Sequence, residues 1–134
     1  MRSHVEFKST AFPAYPDEDS LVNPHVFGKR LAEFLAAQLT AHDFIVRGIH
    51  PEDWGWVINL ENLNFPLWIG CGNHEDKSDL FLCFIEPSKP FVRRWLTKIE
   101  TQNTVERLAT ALNTILLDSG KVSALRWWDD GALC

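Results

Sequence analysis

The runs His50-Pro-Glu-Asp-Trp-Gly-Trp-Val-Ile58, Phe65-Pro-Leu-Trp-Ile-Gly-Cys-Gly-Asn-His-Glu-Asp76 and Leu80-Phe-Leu-Cys-Phe-Ile-Glu86 belong to one stretch, and its reading decides the fold. Trp54, Trp56, Ile58 and Leu60 alternate with Gly55, Val57 and Asn59. A period of two is the signature of a strand whose side chains point to opposite faces of a sheet. Leu67 to Cys71 reads as another strand. Leu80 to Ile85 is apolar at every position, which suits a strand buried on both faces inside the sheet. His50–Asp53, Glu61–Asn64 and Gly72–Asp79 are polar and turn-like. Connections this short favour an antiparallel meander.

Working outward, Phe44 to Ile49 is strand-like through its β-branched residues, and His4 to Phe12 alternates as a first strand. Asn23-Pro24 has the form of a helix start, because Asn accepts from free backbone N–H groups and Pro fits the first turn. Phe27, Leu31, Phe34, Leu35 and Leu39 follow at helical spacing, predicting a helix to about His42. Beyond the stretch, Phe91, Val92, Trp95 and Ile99 predict a short helix with Arg93, Arg94 and Lys98 on its solvated face. Asn103-Thr-Val-Glu106 resembles a capping box in front of the stripe Val105, Leu108, Ala109, Leu112 and Leu116, with Gly120 at the helix end. Val122 to Trp128 can form a last strand. The expected order is β-α-β-β-β-β-α-α-β, an α+β fold in one domain over residues 1–134, built as a two-layer α/β sandwich on a mostly antiparallel sheet.

The chain can bury a core unaided: 134 residues with 46% hydrophobic residues need neither disulfides nor metal. Three cysteines without a CxxC are no disulfide framework and suit a reducing compartment. The first residues lack an apolar core of a secretory signal, and no apolar run is long enough to span a bilayer. A cytoplasmic protein with no membrane partner is the expectation. The net charge of −5 has one source: within 50–86, seven acidic residues stand against Lys77 alone, whereas the remainder carries eleven acids and twelve bases. Such a surface repels nucleic acid and attracts basic partners, so no nucleic-acid ligand is expected.

Candidate chemistry is sparse. Cys71-x-x-His74 has plausible metal-ligand spacing, but its further ligands would have to come from separate turns, and no CxxC or HExxH accompanies it. Cys71 and Cys83 sit in apolar strands beside negative charge, which disfavours a thiolate nucleophile. No glycine-rich phosphate loop is present. Neither a catalytic residue, a resident metal nor a cofactor is therefore assigned. Six tryptophans in this length are the unusual feature, and two clusters join them to acids: Glu52-Asp-Trp-Gly-Trp56 and Trp127-Trp-Asp-Asp130. Aromatic anchors ringed by charge are typical of protein interfaces.

In size, acidity and this pairing of tryptophan with carboxylates, the chain resembles the small acidic immunity proteins with which bacteria neutralise their own toxins. The resemblance implies a protein partner, a basic nuclease-like toxin domain, whose active site the protein would cover. The residues it places in contact are Glu52, Asp53, Trp54, Trp56, Glu75, Asp76, Asp129 and Asp130. Two other readings remain: a small enzyme or ligand-binding domain using His50, Cys71, His74 and Glu86 on an aromatic sheet face, and a homodimer packed through that face.

Overall fold

The computed structural model describes residues 1–18 and 27–129. In chain order these form β1 (His4–Lys8), α1 (Lys29–Leu39) ending in a 3₁₀ turn (Thr40–His42), β2 (Val46–Glu52), β3 (Gly55–Leu60) and β4 (Leu67–His74). Then follow β5 (Lys77–Glu86), β6 (Phe91–Arg94), β7 (Thr97–Glu100), α2 (Gln102–Asp118) and β8 (Ser123–Trp128). Six strands make one sheet in the order β2-β3-β4-β5-β1-β8 with every pairing antiparallel. The fold is α+β. The predicted meander is present as β2 to β5, and β5, apolar on both faces, lies inside the sheet between β4 and β1.

Alternation sends Val5 and Phe7, Trp56, Ile58 and Leu60, Leu67, Ile69 and Cys71, and Phe81, Cys83 and Ile85 to one face, all buried. There they join Leu31, Leu35 and Leu39 of α1 and Val105, Leu108, Leu112, Ile115 and Leu116 of α2 in one core. The helical stripes therefore close the layer that the sheet opens. Trp127 reaches α2 by donating its Nε1–H to Asn113 Oδ1 at 2.9 Å. This ties the last strand to the last helix.

Three expectations change. The segment 91–99 is no helix: β6 and β7 form a separate two-stranded hairpin with Val92 opposite Ile99 and Arg93 opposite Lys98. Val92 and Ile99, seven residues apart, share a face across a hairpin as they would across two helical turns, and the spacing alone does not separate the two. The observed order is thus β-α-β-β-β-β-β-β-α-β. The capping box also fails to form. The helix begins at Gln102, Glu100 Oε1 accepts from Asn103 N at 3.2 Å, and Glu106 is engaged instead by the backbone N–H of Arg2 at 2.6 Å. Finally, Asn23-Pro24 lies outside the described residues, and α1 receives its N-terminal acceptor from Glu18. That buried carboxylate (1% exposed) accepts from Gly28 N at 2.8 Å, Lys29 N at 3.1 Å, Trp56 Nε1 at 2.9 Å and Tyr15 N at 3.1 Å.

Candidate functional site

The sheet face away from the helices carries a row of aromatic rings. Trp128 of β8 stacks on His4 of β1 at 5.7 Å, and His4 on Phe84 of β5 at 5.8 Å. Phe84 meets Trp54 at 5.1 Å and Trp68 of β4 at 5.6 Å. Gly70 makes this possible: a Cβ there would lie 2.4 Å from the Phe84 ring and 2.8 Å from Trp54. Trp54 and Trp56, two residues apart, were expected on one strand face. They lie on opposite faces because Gly55 has φ 153°, a backbone turn that strand geometry does not supply, and its missing Cβ allows approach to the Cys71 carbonyl. Trp56 is 3% exposed and fills the core, so its indole is not available to a partner; Trp54 is 39% exposed.

Register places the acidic candidates. β3 begins and β4 ends toward the same end of the sheet, so the β2–β3 turn with Glu52 and Asp53 and the β4–β5 turn with Glu75 and Asp76 both lie there, and Phe27 bonds Asn73 along the edge of β4 where β3 has ended. All four are exposed. Trp54 leaves the first of these turns and lies back along the open face. Asp129 follows β8 at the other end of the sheet, 3.8 Å from the N-terminal amine, and does not join them. Asp130 lies outside the described residues.

The β4–β5 turn is unusual locally. Glu75 and Asp76 both have φ 56°, so a two-residue loop of the type that favours Asn-Gly holds two acids in the left-handed region. Each such residue costs about 1 kcal/mol relative to glycine. Replacing the pair by Asn-Gly should therefore raise stability by about 1–2 kcal/mol. Urea unfolding checks this, and a loss of stability would contradict it.

Cys71 and His74 do not share a site. Cys71 is in the core with Cys83 opposite, Sγ to Sγ 3.7 Å, whereas His74 Nε2 pairs with Glu6 Oε2 at 3.4 Å on the other face. The neighbouring thiol and burial together hold the Cys71 thiol well above its ordinary range, so it is no nucleophile at neutral pH. In a Cys134→Ser chain, Cys71 and Cys83 should resist Ellman's reagent until denaturant is added; rapid labelling of the native protein would contradict this packing. The folded thiol keeps its proton where the unfolded one loses it. Its contribution is therefore intact below about pH 8.5 and declines as pH rises above it.

Glu6, His74 and Glu75 offer ligand atoms within 4.8 Å of one another. Arg126 Nε already sits 2.9 Å from Glu6 Oε1, so one carboxylate is neutralised and the group has the form of a surface ion-pair network. His50 is committed to Asn59 (2.9 Å) and Glu52 (3.3 Å) on β2. Glu86 lies at the far end of β5, beside a cleft of about 790 Å³ lined by Arg47, Trp68, Arg93 and Arg94 with no histidine. The four polar residues of the enzyme reading, His50, Cys71, His74 and Glu86, are thus dispersed over two faces and both ends of the sheet.

The fold and surface define a two-layer α+β protein with an open aromatic face, an acidic end and a basic hairpin at the opposite end. No family model, curated protein or solved structure matches the chain.

Proposed function

We propose that the protein is a non-enzymatic binding module, an immunity protein that occludes a basic, nuclease-like toxin domain through its acidic end. The observation carrying this reading is the β4–β5 turn: Glu75 and Asp76 occupy two left-handed positions where Asn-Gly is the more stable choice, at the same sheet end as the turn with Glu52, Asp53 and the exposed Trp54. Backbone strain retained at a surface site is a pointer to function. Four carboxylates on two turns at one end of the sheet offer a basic groove the charge pattern of a phosphate chain, and the Trp54 ring supplies an apolar anchor. The contact set is Glu52, Asp53, Trp54, Glu75 and Asp76.

The test is surface plasmon resonance, at several salt concentrations, against any basic toxin domain that the adjacent reading frame is found to encode. Trp54→Ala should weaken binding by at least about tenfold, as expected of a central aromatic anchor. Glu75→Asn/Asp76→Gly should lower the association rate and its salt dependence while the chain itself becomes more stable. Undiminished affinity in both variants, or capture of nothing but a second copy of the chain, rejects the reading.

A further inference from the structure

The hairpin of β6 and β7 ends in Trp95-Leu96, whose side chains are 95% and 97% exposed. Its root is fixed, because Val92 and Ile99 pack against the core. We propose that this hairpin is a wedge that docks the protein on an anionic membrane surface.

The chemistry runs from tip to base. Two consecutive large apolar residues form the turn, and the indole of tryptophan prefers the boundary between headgroups and acyl chains. Trp95 has φ 59°, a conformation in which Gly or Asn is ordinary and Trp is strained, so the turn itself gains nothing from this residue. Directly behind the tip lie Arg93, Arg94 and Lys98, all exposed. Lys98 Nζ and the Arg93 guanidinium lie 4.1 and 5.8 Å from the centre of the Phe91 ring, which collects the cations on the outer side. With Trp95 and Leu96 at acyl depth, these bases stand at the level of the lipid phosphates, and their aliphatic stems adapt to that depth.

Charge across the molecule agrees. Glu52, Asp53, Glu75 and Asp76 lie at the sheet end opposite the hairpin root, so a negative surface repels that end, while at the other end, which also holds Glu86 and Asp129, the cations Arg93, Arg94 and Lys98 project on the hairpin. No described helix is long and apolar enough to cross a membrane, so attachment would be peripheral through the tip. An acidic protein would satisfy the cations as well. However, the tip is a narrow convex turn without the surrounding shoulder that excludes water around a protein hot spot, whereas a fluid interface closes around it unaided.

The test is co-sedimentation of the full chain with vesicles of phosphatidylglycerol and phosphatidylcholine in equal parts, and with phosphatidylcholine alone. Binding is expected only to the anionic vesicles and should fall by roughly tenfold or more in high salt. Trp95→Gly/Leu96→Ser should reduce binding by roughly tenfold or more, and Arg93→Gln/Arg94→Gln/Lys98→Gln should abolish the preference for anionic lipid. Glycine suits the φ at position 95, and an unchanged melting curve shows the fold intact. The proposal is overturned if wild type leaves anionic vesicles in the supernatant, or if Trp95→Gly/Leu96→Ser binds them as well as wild type. It is also overturned if polyglutamate, but neither vesicle, binds in a Trp95-dependent way, which would assign the hairpin to an acidic protein.

Discussion

Glu18→Ala should lower stability by about 3–5 kcal/mol, a drop of roughly 10–20 °C in melting temperature. Four N–H donors converge on this one carboxylate: those of Tyr15, Gly28, Lys29 and the Trp56 indole. Each buried donor left without an acceptor costs about 1–3 kcal/mol, and water entering the space recovers part of it. Two of the four belong to the first turn of α1, so the same carboxylate also complements the helix dipole. Glu18→Gln keeps the shape but turns an NH₂ toward one donor, and about 1–3 kcal/mol should be lost. Trp56→Phe removes a single donor and should cost about 1 kcal/mol through the hydrogen bond alone. The pair should be non-additive in a double-mutant cycle, because each variant deletes the same bond. Additive losses measured by urea unfolding would show that the indole and the carboxylate do not interact.

Phe81→Ala should be comparably damaging, at about 3–5 kcal/mol. Phe81 is fully buried on β5, stacked on Phe7 at 5.8 Å and meeting Phe12 edge-on at 6.1 Å. Its removal leaves a cavity between the sheet and the helices that rigid neighbours on β1 cannot fill. Leu63→Ala, at an exposed loop position, should change stability by no more than about 0.5 kcal/mol. A loss below about 1 kcal/mol for Phe81→Ala would mean that β5 does not lie at the centre of the core.

Much of this frame was legible in residue order. The alternation of Trp56, Ile58 and Leu60, the short turns between runs and the all-apolar Leu80–Ile85 together specify a meander with one strand deep inside it. The stripe Val105–Leu116 specifies α2 for the same reason: periodicity reports directly which side chains share a face. The candidate surface was legible in part. Glu52, Asp53, Glu75 and Asp76 could be named from composition, but their place at one end of the sheet depends on the register of β3 against β4. Glu18 gave no sign in sequence of its role, since its four donors come from three separate segments. The spacing of Val92 and Ile99 fits a helix and a hairpin alike, so residue order does not separate a helix face from a hairpin for Arg93, Arg94 and Lys98.

What the sequence alone determined was local: the strands and helices with a regular apolar period, the α+β class they add up to, and a net negative charge that comes from residues 50–86. The tertiary structure alone decided which of two neighbouring tryptophans is core and which is surface, because one backbone angle at Gly55 turns the chain between them. It also decided that Cys71 and His74 face apart and that Glu52, Asp53, Glu75 and Asp76 lie at one end of the sheet with the basic hairpin at the other. The physical reason is common to all three. Side-chain period is set within a segment, whereas the face and end on which a residue lies depend on register, twist and turn geometry, which segments fix only by packing on one another.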